Sequence, residues 1–188
     1  CWFIKKYGVL AKYFLTSVCL KFSYPAFSSS IKCNSFRLSQ NFEGFVSGYA
    51  TASMTFHHFE TIKKIYKKQI QIDLIVGMCP SDGLSLSNHK AFQQFVTVDF
   101  PDNFKCSYIF NSPPVHSKVY AWFQGNKPIG GFAGSANYTQ NAFSKAQREL
   151  LIPCDPILGF EYFQSLTSDS IYCTHNEIEN NIGIYHDT

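Results

Sequence analysis

A chain of 188 residues, 45% hydrophobic and 17% aromatic, is long enough to bury a core of its own as one domain, and this composition excludes a disordered tail. Sixteen lysines and arginines against thirteen aspartates and glutamates give a formal charge of +3, which suits a polyanionic partner but is too mild to demand one. The seven cysteines, Cys1, Cys19, Cys33, Cys79, Cys106, Cys154 and Cys173, include no Cys-x-x-Cys pair, which argues against a disulfide framework and for a reducing cytoplasm.

The chain opens on Cys1, so a fragment is expected, with residues 1–40 as an extension outside the fold. Within it, the apolar run 9–20 follows Lys5 and Lys6 and mimics an export signal. Lys12 interrupts the run and it is too short to cross a bilayer, so no membrane association is expected. Residues 22–41 are serine-rich and broken by Pro25, which predicts a loop or short edge strands. Residues 45–49 read as a buried strand. Ser53 then caps a predicted helix to about Lys67, because Met54, Phe56, Phe59, Ile62, Ile65 and Tyr66 recur at helical spacing. The lysines at 63, 64, 67 and 68 fall on its polar side and read as a solvated face.

Residues 70–78 are the most strand-like run, and their nearly continuous apolar character suits a central strand. A turn at Pro80-Ser-Asp-Gly83 precedes a short predicted helix, 88–95, and a strand, 105–110. Residues 115–123 and 128–133 are predicted as two further strands, 149–153 as another, and 156–166 as a helix that packs Ile157, Leu158, Phe160, Phe163 and Leu166. This order predicts an α/β layered fold, a mixed β-sheet flanked by helices, over residues 41–173. The polar stretch 174–188 reads as the start of a linker.

Chemistry concentrates between Val115 and Leu151. His116 and Lys118 lie two apart in a predicted strand, where side chains i and i+2 share a face. An imidazole able to attack phosphorus and an ammonium able to hold a phosphoryl oxygen would then point into one space. Downstream, Gly134-Ser-Ala-Asn137 offers a glycine for close backbone approach, plus a hydroxyl and an amide that can donate to phosphate. Glu149 can fix the tautomer of an imidazole by bonding its second nitrogen. Each has a plainer reading: Asn137 as a turn cap, Ser135 as a tight-turn residue, Glu149 as a surface partner of Arg148. His57, His58, His89, His175 and His186 stand outside any such set and read as structural. Cys173 and His175 lack a second ligand pair, so no zinc site is expected.

The His-x-Lys and Gly-Ser-x-Asn elements together resemble the phospholipase D superfamily, and within it the NgoFVII-type restriction endonucleases. Val46-Ser-Gly-Tyr-Ala-Thr-Ala-Ser-Met54, Ile72-Asp-Leu-Ile-Val-Gly-Met78 and Ser81-Asp-Gly83 extend the resemblance over residues 45–173. The longer superfamily motif has an aspartate five positions after the lysine, where this chain has Phe123, which sets it apart from the lipases.

The resemblance implies a phosphodiester-cleaving enzyme in which His116 attacks phosphorus to form a covalent phosphohistidine. Lys118, Asn137 and Ser135 would bind the phosphate, and Glu149 would serve the imidazole. No acidic cluster suited to Mg²⁺ accompanies the motif, so no cofactor and metal-independent cleavage are expected. Attack and leaving-group protonation occur on opposite sides of phosphorus, and the chain carries one His-x-Lys motif where the superfamily uses two. A homodimer with a composite site is therefore expected, acting on double-stranded DNA as the catalytic domain of a type II restriction enzyme, with target recognition assigned to a further domain beyond Thr188. The competing readings are a nonspecific nuclease of the superfamily and a catalytically silent binding or dimerisation module.

Overall fold

A computed structural model describes residues 41–66, 70–143 and 147–187. The expected extension, its apolar run 9–20, the serine-rich stretch up to residue 40, and Lys67 and Lys68 lie outside the described residues.

Strands β1 (Asn41–Ser47), β2 (Ile70–Val76), β4 (Phe104–Ile109), β5 (Val119–Gln124), β6 (Lys127–Gly134), β7 (Leu151–Pro153) and β8 (Ser170–Tyr172) form one sheet. Their order across it is β7-β6-β5-β1-β2-β4-β8. β1, β2 and β4 run parallel, while β5, β6, β7 and β8 are each antiparallel to the strand beside them. A separate parallel pair joins β3 (Leu84–Ser85) to β9 (Ile184–Tyr185). The sheet is mixed and flanked by helices on both faces, the α/β layered architecture the sequence predicts.

Helix α1 (Ala52–Tyr66) forms because Met54, Phe59 and Ile62 share a buried stripe, while Lys63 and Lys64 stay in water. Its cap is Thr51 rather than the predicted Ser53: the Thr51 hydroxyl accepts from Met54 N–H at 3.3 Å and its carbonyl from Thr55 N–H. α2 (Cys79–Asp82) is one turn with proline at its start, closed by Gly83 at φ 70°. α3 (Leu86–Gln94) is capped by Ser85, whose hydroxyl accepts from Asn88 N–H. Together α1 and α3, the latter through Phe92, seal one face of the sheet over Phe45, Ile72, Leu74, Phe104 and Tyr108. Stacked Phe59 and Phe100, 4.1 Å between centroids, close this core at its edge.

Helix α4 (Gln140–Phe143) follows β6 and, beyond β7, comes α5 (Pro156–Ser165), which is capped by Asp155 through Ile157 N–H at 2.8 Å. α5 covers the opposite face with Phe160 and Phe163 over Phe42, Val46, Ala121 and Phe123. Ile157 and Leu158, predicted to pack inward, face solvent. Phe123 is buried against Phe160, 5.3 Å between ring centroids. The position where the superfamily's longer motif has an aspartate is thus apolar core here, where a carboxylate would be costly without a partner.

The stretch from Thr174, read as the start of a linker, is part of the fold. It carries α6 (Ile178–Asn181) and β9, buries Ile178 and Ile182, and is tied down where Asp187 accepts from Ser87 N–H at 3.0 Å. Ile178 and Ile182 are four apart, an apolar pair that a polar surround hides.

Among the described residues, no helix is long and apolar enough to cross a membrane. A cavity of about 320 Å³ opens beside α5, lined by Phe42, Asp73, Ile75, Lys105, Phe160 and Phe163 among others. It borders none of the residues marked in the sequence as a site.

Candidate active site

The strand directions bring those residues to one end of the sheet. β1 and β2 finish there, β5 begins there, and β6 returns there because Val119 pairs with Ala133. β7 starts there as well, Leu151 opposite Gly134.

His116 and Lys118 do not sit inside a strand, as their sequence context predicts. The strand begins at Val119, and residues 114–118 are an extended lead-in that crosses the end of β2, where Val115 N–H donates to Gly77 carbonyl at 3.0 Å. Both side chains turn toward Gly48, the residue after β1: a Cβ placed on Gly48 would lie 3.0 Å from His116 Cδ2 and 3.3 Å from Lys118 Nζ. The absent side chain at Gly48 makes room for the pair.

The two groups differ in environment. His116 is exposed. Lys118 is 4% exposed, and its ammonium donates to the His116 carbonyl at 2.5 Å. Burial lowers the Lys118 pKa from the ordinary lysine value, and the negative charge of Glu149 works against that shift.

Asn137 reaches the same end through the loop after β6. The bridge between Ala50 and Tyr138, the bond from Tyr138 N–H to Ser47 Oγ at 2.8 Å and that from Thr51 N–H to Tyr138 carbonyl at 3.0 Å stitch this loop to the end of β1. Asn137 Oδ1 accepts from Tyr49 N–H at 3.0 Å. With its oxygen engaged, the side chain offers its NH₂ group as donor.

Glu149 and Ser135 are brought together. The Ser135 hydroxyl donates to the Glu149 carboxylate and accepts from Leu150 N–H at 3.0 Å. Its hydroxyl is thus engaged at both ends by the Glu149 segment. The charge of Glu149 bears on Lys118, and its hydrogen bond goes to Ser135 instead of to the imidazole. Gly134 also has another reason to be glycine: a Cβ there would stand 2.0 Å from Leu150 carbonyl oxygen, so the close approach it permits is of backbone to backbone.

The imidazole's actual neighbours are two residues the sequence did not mark. Tyr49 meets His116 edge to face, 5.9 Å between centroids at 81°, and its hydroxyl donates to Asp82. That bond holds the Asp82 carboxyl below its ordinary range, with the positive potential of His116 contributing. The partners are 33 positions apart, which no spacing rule reads. The one available signal was that both lie in the segments that extend the resemblance, 46–54 and 81–83.

Behind the site, Tyr138 OH lies 2.8 Å from His58 Nδ1, and His58 Nε2 lies 3.3 Å from Glu43 Oε2, all three residues buried. Burial pushes Glu43 up to about 8 and His58 down to about 3, so both are neutral near pH 6. Among the described residues, no group of three or more His, Cys, Asp or Glu side chains is placed to hold a metal ion. The arrangement offers an exposed nucleophilic base, a fixed buried cation and an oriented amide, which is a set suited to a phosphoryl group.

Comparison with known proteins bears on this geometry. The family described as NgoFVII restriction endonuclease N-terminal PLD domain matches residues 34–180. Among solved structures the chain is similar to NucT from Helicobacter pylori, at 17% identity and TM-score 0.47, over 70% of this chain and 81% of that one. It is similar to Nuc, a phospholipase D family member from Salmonella typhimurium, at 15% identity and TM-score 0.48, over 72% and 84%. Polyphosphate kinase from Porphyromonas gingivalis matches at 16% identity and TM-score 0.43, over 73% of this chain and 21% of the kinase. No curated protein sequence matches. With the match covering well over half its length, the chain belongs to the NgoFVII restriction endonuclease family through its phospholipase D domain, a family of nucleases that hydrolyse phosphodiester bonds.

Proposed function

We propose that this chain cleaves DNA without a metal ion, by way of a covalent phosphohistidine on His116, as the catalytic domain of a type II restriction enzyme. The observation that carries this reading is the convergence of the His116 imidazole and the Lys118 ammonium on the side-chain-free space at Gly48. Neutral His116 attacks phosphorus, and the bond to the leaving oxygen breaks as the nitrogen–phosphorus bond forms. Lys118 and the Asn137 amide hold the non-bridging oxygens, and Glu149, bracketed by Ser135, sustains the charge on Lys118. Water then displaces the imidazole and releases the phosphorylated end.

The leaving oxygen needs a proton from the side opposite the attack, and one imidazole cannot serve both sides. His116 of a second copy supplies that proton as an imidazolium and later takes one from the attacking water. The working form is accordingly a homodimer with one composite site on double-stranded DNA. A monomer at micromolar concentration with full nuclease activity would contradict the composite site.

Plasmid DNA incubated with the purified chain in EDTA, wild type beside His116→Ala, tests the reaction. Nicking or linearisation by wild type that survives the chelator and is lost in the variant is the expected result. Full activity in His116→Ala would remove His116 as nucleophile, and a folded dimer that cuts nothing would favour a silent module.

A further inference from the structure

Tyr49 is fixed at both ends beside the attacking group. Its N–H donates to Asn137 Oδ1 at 3.0 Å, and its carbonyl accepts from Ser47 Oγ at 2.6 Å and from Tyr138 N–H at 3.2 Å. At the far end its hydroxyl donates to Asp82, and the ring stands edge to face with His116. Despite this, Tyr49 is 39% exposed. A second exposed tyrosine, Tyr185 on β9, at 53%, is near enough for its phenol to act electrostatically on that of Tyr49.

The phosphoryl chemistry does not use this ring. Its hydroxyl is already engaged with Asp82, and the phosphate oxygens are met by Lys118 and Asn137. An immobilised aromatic surface at the mouth of a phosphodiester site can offer a flat partner to whatever flanks the scissile phosphate, without losing rotamer freedom on binding. In a nucleic acid the flat group attached next to a phosphate is a nucleobase, and every base has a π-face that stacks on such a ring.

We propose that Tyr49 is the platform on which the nucleobase beside the scissile phosphate stacks, with Asp82 as the latch that holds the ring and Tyr185 as its neighbour. This rests on the nucleic-acid reading above and deepens it: a base that stacks on Tyr49 has left the duplex stack, so the site takes a locally opened or single strand.

Binding, rather than cleavage, tests it. The full chain carrying His116→Ala is titrated calorimetrically with a short oligothymidylate and with an abasic sugar-phosphate strand of equal length and charge, so that phosphate attraction cancels in the comparison. The base-bearing strand binds more tightly by about tenfold. Adding Tyr49→Leu removes most of that preference, and Tyr49→Phe, which keeps the ring but loses the bond to Asp82, retains a reduced preference. An unfolded Tyr49→Leu protein would bind neither strand; in that case Tyr49→Trp decides, its indole fluorescence being quenched by the base-bearing strand and not by the abasic one. An equal preference for bases in Tyr49→Leu, no preference with Tyr49 intact, or an unquenched Tyr49→Trp overturns the proposal. Failure of wild type to cut plasmid would overturn the hydrolysis reading and leave this comparison decisive for Tyr49.

Discussion

Lys118 has to carry a positive charge where there is almost no water to support it. Burial favours its neutral form and Glu149 favours the charged one, so the protonation of the phosphate clamp depends on a carboxylate that never needs to touch substrate. Replacing Lys118 by methionine removes the charge on the phosphoryl oxygens and should lower kcat by about 10²- to 10³-fold. Glu149→Gln should act differently. Without the opposing negative charge the lysine loses its proton at lower pH, so the alkaline fall in activity moves to lower pH while activity at neutral pH declines less. A pH–rate profile checks this, and an alkaline limb that stays in place or moves upward would contradict the electrostatic role. At this scale the sequence was readable where side chains are neighbours along the backbone. The partnership of His116 and Lys118 follows from their separation of two. The bonds of Tyr49 to Asp82 and of Ser135 to Glu149 span 33 and 14 positions and depend on how strand ends meet.

β1 is the element that joins core to site, and it carries a buried carboxyl to do so. Glu43 lies opposite Trp122 in the sheet, with its carboxyl 3.3 Å from His58 on α1, and the bond of His58 to Tyr138 fastens the helix to the loop that bears Asn137. The raised Glu43 pKa and the lowered His58 pKa set a pH window. Stability from neutral Glu43 is full below its ordinary value of 4.5 and is lost as pH rises to about 8. Stability from neutral His58 is present above its ordinary value of 6.5 and is lost as pH falls to about 3. The slopes oppose each other between 4.5 and 6.5, so the pair yields a plateau there with declines on either side. Glu43→Gln, which cannot ionise, should abolish the decline between about pH 6.5 and 8, measured as urea midpoints across that range. An unchanged alkaline decline would mean that Glu43 is not the group that titrates. The elements themselves were mostly legible, because periodicity marks α1, α5 and the central strands. Their limits moved where tertiary contacts intervene: Thr51 displaces Ser53 as cap, and residues 115–118 stay outside β5 because they must first cross the end of β2.

For the whole molecule, the mixed sheet follows from the alternation of strands and helices along the chain, whereas the folded C-terminal segment was concealed by its polar composition. The site itself faces outward at the end of the sheet, and among the described residues no strand pairs with the outer side of β7. Leu150, just before that strand and next to Glu149, is 63% exposed, and Ile152 within it is 53% exposed. Exposed apolar residues on a sheet edge favour a partner, and this edge is the seam assigned here to the second copy proposed above. Leu150→Asp combined with Ile152→Asp should therefore convert the dimer to monomer in sedimentation velocity and abolish cleavage, with little change in the folded state of the chain. A doubly substituted dimer that still cuts would move the seam elsewhere.

The central claim is that His116 itself becomes bonded to phosphorus. DNA labelled on the phosphate at its cleaved positions, denatured rapidly in alkali during turnover and followed by peptide mapping at alkaline pH, addresses it directly. The expected result is label on the peptide containing His116, stable in alkali and released by acid, and absent from His116→Ala. Turnover by wild type with no labelled protein, or label on a different residue, would contradict it.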